Sequence, residues 1–173
     1  VGYYAMKAVT TATNNTVIGN AAGEDITSGG NNVIVGSEAG HELTTATDNV
    51  AIGKSALDRM DGAPAQNVAI GSAAMHGNLS NVAITGCIAI GHEALEGTLT
   101  TGANYSIAIG KEALKGLTSG TGNTAIGYQA LTEHTTGGNN VAIGYGALYR
   151  TGGSTASTST DNIAIGTYAL GGD

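Results

Sequence analysis

Thirteen acidic side chains, four histidines, one cysteine and seven tyrosines carry whatever chemistry this chain of 173 residues can do. Glu38, Glu93 and Glu112 share one spacing, two residues after a recurring glycine, and a line of carboxylates could serve acid–base cleavage of a polysaccharide. In other copies the same place holds Tyr4, Ala21, Ser55, Ala73, Gln129, Gly146 and Tyr168, and so mixed a column reads as a solvated face. No catalytic residue is assigned, and the chain is not read as an enzyme. His41, His76, His92 and His134 lie in different copies without His-x-x-His spacing, so no metal site and no cofactor is expected, although symmetry in an oligomer could triple a single ligand. Cys87, the only cysteine, excludes an internal disulfide and a cysteine-based zinc site, and its expected state is a half-buried inert thiol. Gly144-Tyr145-Gly146 lacks the helix and the later acidic residue of a dinucleotide fold.

Two residue types could act by contact. Tyr3, Tyr128 and Tyr145 stand in one column with Tyr149 and Tyr168 nearby, and could stack on sugar rings or pack against a neighbouring chain. Thr44-Thr45, Thr100-Thr101, Thr135-Thr136 and the threonines from Thr155 to Thr160 suggest ice binding, but they fall in segments of unequal length.

All these residues hang on one repeat. The tetrapeptide Val-Ala-Ile-Gly recurs with close substitutes, its glycines being Gly2, Gly19, Gly36, Gly53, Gly71, Gly91, Gly110, Gly127, Gly144 and Gly166. The steps between them are 17, 17, 17, 18, 20, 19, 17, 17 and 22 residues. Three residues after the glycine stands Ala in all ten copies, including Ala130 and Ala147. Four residues before it stands Asn in seven of nine, including Asn123 and Asn140; Cys87 and Ser106 are the exceptions.

In Asn140-Val141-Ala142-Ile143-Gly144 the β-branched residues alternate with Ala, which is the period of a strand. The expectation is that Val141 and Ile143, like Ile126, fill the coil interior. The alanines Ala51, Ala69, Ala89, Ala108, Ala125, Ala142 and Ala164 then form an outward column, small so that another chain can approach: a candidate interface. Gly127 and Gly144 supply a bend. Segments such as Lys111-Glu112-Ala113-Leu114-Lys115-Gly116 predict one helical turn or a tight corner, and a second short strand would serve as well. The Asn column is expected to stack amides from coil to coil. Asn81-Val82-Ala83-Ile84, ahead of Ile88-Ala89-Ile90-Gly91, reads as an incomplete duplicated strand making a bulge or extra half-coil.

One copy cannot bury enough to fold, since it hides only a few aliphatic side chains; copies stacked in an array can. The fold class expected is therefore all-β, a parallel β-solenoid (β-roll) of about ten coils of 17–22 residues, over a single repeat domain 1–173. At ~4.8 Å per coil the rod would be about 45–50 Å long. A core of small aliphatics suits such a thin object: there are 29 Gly and no Phe or Trp. The net charge of −7 opposes nucleic acid and anionic membranes, and no apolar run approaches the ~20 residues of a membrane span. The chain opens and closes inside the repeat and reads as an excerpt of a longer fibre protein.

Asn123-Thr124-Ala125-Ile126-Gly127-Tyr128-Gln129-Ala130-Leu131 and Asn140-Val141-Ala142-Ile143-Gly144-Tyr145-Gly146-Ala147-Leu148 resemble the repeats of bacteriophage tail fibres and related bacterial surface proteins. They are also similar to the head repeats of trimeric autotransporter adhesins, a parallel β-roll, from which they differ by a longer period and by Ala-Leu after the glycine. The resemblance covers essentially the whole chain. It implies a homotrimeric, extracellular or virion-borne structural shaft or adhesin segment, with a cell-surface glycan or protein receptor as possible partner and no catalytic residues. The alternative from another class is a glycan-binding module using its loops.

Overall fold

The computed structural model describes residues 1–60, 62–77, 82–150 and 158–171. Nine three-residue strands carry the repeat: β1 (Thr16–Ile18), β2 (Val33–Val35), β3 (Val50–Ile52), β4 (Val68–Ile70), β5 (Ile88–Ile90), β6 (Ile107–Ile109), β7 (Thr124–Ile126), β8 (Val141–Ile143) and β9 (Ile163–Ile165). They form one parallel sheet in chain order, each copy of a residue lying on the next, as Ala108 on Ala125 and Ala125 on Ala142. The chain is a parallel β-solenoid.

Each strand ends at the repeat glycine. Gly53, Gly127 and Gly144 all have φ of 132°, outside what a residue with a Cβ readily adopts. A Cβ on Gly53 would also lie 2.5 Å from the Gly71 carbonyl oxygen in the next coil. Both the bend and the coil-to-coil approach therefore require glycine. The corner that follows is neither a helix nor a strand but a tight turn, closed by a bond from the alanine N–H to the glycine carbonyl, as Ala56 to Gly53 at 3.3 Å. Within it the residues two and four after the glycine take positive φ, such as Glu112 at 60° and Leu114 at 53°. That costs each about 1–2 kcal/mol. The compensation is axial: Gln129 N–H donates to the Lys111 carbonyl and Leu131 N–H to the Ala147 carbonyl, both at 3.0 Å, one bond to each neighbouring coil. One short 3₁₀ turn, Thr101–Ala103, is the only helical element among the described residues.

The strand faces are the reverse of the sequence expectation. Ala51, Ala69, Ala89, Ala108, Ala125 and Ala142 are fully buried inside the single coil, and Ala164 almost so, whereas the β-branched neighbours point outward. The alternation was read correctly and its phase was inverted; in a strand a shift of one residue exchanges the two faces. The alanine column is therefore not a surface that another chain can meet.

Volume explains the choice. The interior is filled by the corner alanines, such as Ala130 and Ala147, by the Leu that follows each, and by a second aliphatic column of Ile26, Leu43, Met60 and Leu117. Only a small residue fits from the strand wall where the corner supplies Leu57, Leu95, Leu114, Leu131 or Leu148. In the two copies where that place is Gly23 or Gly40, the strand supplies Val17 or Ile34 instead. A Cβ on Gly40 would lie 3.2 Å from Ile34 Cδ1, and one on Gly23 would lie 3.4 Å from it, so strand centre and corner face each other across the coil.

The supposed duplicated strand is ordinary wall. Ile84 is buried, and Thr85 bridges to Ala65 as Ala65 does to Thr47, on the side of the coil away from the sheet. Asn81, its supposed first residue, lies outside the described residues.

Ile34→Ala alone should leave a cavity and cost about 2–5 kcal/mol. Gly40→Leu alone should overpack, at about 1–3 kcal/mol. The double change restores the Ala/Leu pairing of the other coils and should cost less than the sum by at least about 1 kcal/mol in a urea-denaturation cycle. Strict additivity would show that the two positions do not share one space.

Candidate functional site

Since every column runs the length of the rod, the candidate sites are ladders and strips rather than pockets. The innermost polar ladder is the Asn column. Asn32, Asn67, Asn123 and Asn140 are fully buried. Where the next copy also carries Asn, the side-chain oxygen accepts from it twice: Asn49 Oδ1 takes the Asn67 backbone N–H at 3.0 Å and Asn67 Nδ2 at 3.1 Å. Each amide nitrogen also donates to a wall carbonyl, as Asn67 to Ile84 and Asn123 to Gly137. The expected stacking of amides is thus present and tightly bonded. Buried amides are tolerable only because every polar atom is used.

Cys87 and Ser106 interrupt this ladder. Cys87 N–H still donates to Asn67 Oδ1 at 3.0 Å, but onward contact passes through sulfur: Ser106 N–H lies 3.5 Å from Cys87 Sγ, and Asn123 N–H lies 3.4 Å from Ser106 Oγ. Burial pushes the Cys87 thiol up, so it stays protonated at neutral pH. The thiol is fully buried rather than half-buried.

Outside, β1–β9 present two columns of β-branched side chains. Sixteen of their eighteen positions are Val or Ile; Thr16 and Thr124 are the others. Ile126 and Ile143, grouped with the interior in the sequence reading, belong to this strip. Ile52 is 37% exposed and Ile126 36%, with no charged residue in either column. A contiguous, uncharged and mainly aliphatic strip of this kind is a feature that marks interaction surfaces.

Beside the strip stands a tyrosine stack. The rings of Tyr128 and Tyr145 lie 5.2 Å apart and nearly parallel, and Tyr168 meets Tyr145 edge-on at 5.0 Å. Lys111 Nζ sits 5.6 Å over the Tyr128 ring. Each ring thus has an aromatic neighbour, while Tyr145 and Tyr168 stay about half exposed.

Five residues after each of the first seven repeat glycines runs a column that sequence reading passed over: Lys7, Glu24, His41, Asp58, His76, Glu96, Lys115; the last three copies carry Thr132, Tyr149 and Gly171 there. Its groups alternate in type between carboxylate and base. Lys7 Nζ lies 3.0 Å from Glu24; His41 lies 3.5 Å from Glu24 and 3.8 Å from Asp58; His76 lies 3.9 Å from Asp58; Lys115 lies 3.3 Å from Glu96. The signal was available, because aligning copies on the glycine brings these residues into one file. Pairs this exposed contribute about 0–1 kcal/mol each. Their arrangement favours correct stacking of coils over slipped ones.

The carboxylates weighed for catalysis have local partners. Glu93 is held by Lys115 at 2.7 Å, and this hydrogen bond is the main cause that lowers its carboxyl below the usual range. Glu112 is lowered chiefly by the Gln129 amide at 2.7 Å, with Lys111 adding to it. Glu38 is separated from them by the copies carrying Ser55 and Ala73, so the three do not converge. Among the described residues no group of three or more His, Cys, Asp and Glu is placed to hold a metal, and no helix is long and apolar enough to cross a membrane. Of the threonine segments, Thr44 and Thr135 take part in stacking through their carbonyls, which accept from Thr27 Oγ1 at 3.1 Å and Thr118 Oγ1 at 2.9 Å; residues 155–157 lie outside the described residues.

No protein-family model matches the chain, nor does any curated protein or solved structure.

Cys87→Asn should complete the amide ladder from Asn67 to Ser106. Chemical denaturation should show Cys87→Asn more stable than the parent by about 1 kcal/mol, the net worth of an intramolecular hydrogen bond. Cys87→Ala, matched in burial but without the amide, should be less stable than the parent. Equal stability of the Asn and Ala variants would show that ladder continuity contributes nothing at this point.

Proposed function

We propose that this chain is a structural shaft or adhesin segment of an extracellular or virion fibre, non-catalytic, in which three copies pack side by side through the Val/Ile strip. The observation that carries the reading is that strip: uncharged, aliphatic except at Thr16 and Thr124, and present on every strand β1–β9. Covering a half-exposed Val or Ile yields about 1 kcal/mol, and the gain multiplies along the rod. A second copy in parallel register suits the strip better than a globular partner. Its own columns repeat at the same ~4.8 Å, so side chains interdigitate along the full length. The resemblance of Asn123–Leu131 and Asn140–Leu148 to trimeric fibre repeats favours three chains over two and gives the proposed extracellular or virion setting.

On this reading the shaft acts by geometry. It holds whatever adjoins it at a fixed distance and presents its corner columns and loops outward, toward a cell-surface glycan or protein receptor. Recognition by the loops remains the alternative from a different class. The exposed rings of Tyr3, Tyr145 and Tyr168 are the side chains that alternative would use.

Light scattering of the purified chain should give the mass of three chains. Ile126→Lys with Ile143→Lys, both on the strip, should give single chains that keep the β circular-dichroism signature. A monomeric parent, or a trimer unaffected by the two lysines, would overturn the assignment of this face.

A further inference from the structure

We propose that His134 is an acid-sensitive joint in the solenoid, at which protonation breaks the packing of the coil that carries Asn140 while the coils before it stay closed. His134 stands seven residues after its glycine, in the place that Ile26, Leu43, Met60 and Leu117 fill in other copies, and it is fully buried. An ionisable ring thus replaces an aliphatic side chain in the core column. Its Nε2 lies 3.1 Å from Asn140 Nδ2.

The direction of the amide ladder gives that contact its meaning. Asn140 Oδ1 accepts the Asn162 backbone N–H at 3.1 Å and Asn162 Nδ2 at 2.9 Å, so the oxygen faces the following coil. Asn140 Nδ2 donates to Asn123 Oδ1 and to the Ser159 carbonyl, each at 3.0 Å. Turning the amide over would break all four bonds. The atom beside His134 Nε2 is therefore a nitrogen that only donates and whose two hydrogens are already committed, so it offers no acceptor to a ring N–H. A protonated ring would bring a charge and a second N–H into the core column, where Asn140 can receive neither.

The charged and titratable groups of the packed coils are Lys111, Glu112 and Lys115 before it, Tyr128 and Glu133 in its own coil, and Tyr145, Tyr149, Arg150 and Asp161 after it. Glu133 is paired with Arg150 at 2.8 Å, Glu112 with Lys111 at 3.2 Å, Lys115 with Glu93 at 2.7 Å, and Asp161 accepts from Asn139 at 3.3 Å. Burial holds the imidazole below its ordinary value, and the carbonyls of Gly137 and Ser159, which favour the cation, only partly offset it. The sign follows. The folded coil prefers the neutral ring, and the unfolded chain takes up a proton near the ordinary value of about 6.5. The stability conferred by the neutral ring is complete above that pH and is lost as pH falls below it.

The experiment is amide hydrogen exchange of the intact chain at pH 7.5 and pH 5, corrected for intrinsic rates, beside NMR titration of the His134 ring. Exchange at Asn140 and Asn162 should rise at least tenfold more on acidification than at Asn32 and Asn49. The ring should titrate below its ordinary value. His134→Leu, which restores the core column, should abolish the excess acceleration. Equal acceleration along the rod, or a ring that titrates at or above its ordinary value, overturns the proposal. Should the leucine variant fail to fold, the exchange and titration of the parent chain still decide it.

Discussion

Axial hydrogen bonding between coils, at the fixed spacing of neighbouring strands, governs every other feature of this molecule. Once one turn is pinned about 4.8 Å above the last, each side chain meets its own counterpart. A residue is tolerated only if it can stack on the one above. Gly53 satisfies this by having no Cβ where the Gly71 carbonyl arrives, and Asn49 by offering an oxygen to the amide of Asn67. Glu24 and His41 satisfy it by differing in kind. The same constraint makes positive φ acceptable at Leu57, Leu95 and Leu131, since the bonds gained on both sides outweigh local strain. Stability of this sort belongs to the array and not to any coil.

A narrow interior follows, and from it the outer surface. With corner leucines and a second aliphatic column occupying the coil, the strand can contribute only a methyl, and alternation sends Val and Ile outward. The apolar strip is therefore a consequence of how the coil fills, and the shaft reading makes use of a surface that the fold produces in any case. The polar columns flank it: Lys7 to Lys115 on the corner, and the edge ladder in which Asn31 donates to Asp48 at 3.2 Å.

Much of this could be read from the residues. Strict recurrence of Gly and Ala gave the coil length, the bend and the parallel stacking, and the Asn column gave its amide ladder. The strand phase was not obtained, because a Val-Ala-Ile triplet satisfies a period of two with either face inward. The resolving signal lay in two copies only. Val17 and Ile34 are large where Gly23 and Gly40 are small, an exchange of volume that makes sense only across a shared interior. Asn at the same parity as Ala125 could also have settled it, once the ladder is seen to be internal. At the corner the residues left a helical turn, a tight corner and a short strand all open, because Lys-Glu-Ala-Leu favours helix locally, whereas the axial bonds available only in the stack reward the tight turn. For the candidate surface, composition identified the aliphatic residues, but the inverted phase assigned the interface to the wrong column.

The most direct test of the account is the axial rise itself. Spin labels can be placed on the exposed column just after the repeat glycine, with the native thiol removed as Cys87→Ser and labelled chains kept dilute among unlabelled ones. The pairs Ser37→Cys/Lys111→Cys and Asn20→Cys/Lys111→Cys span four and five coil steps. Pulsed electron–electron resonance should give narrow distributions near 19 and 24 Å, separated by one strand spacing of about 4.8 Å. Broad distributions, or a second distance no longer than the first, would contradict a chain stacked coil upon coil.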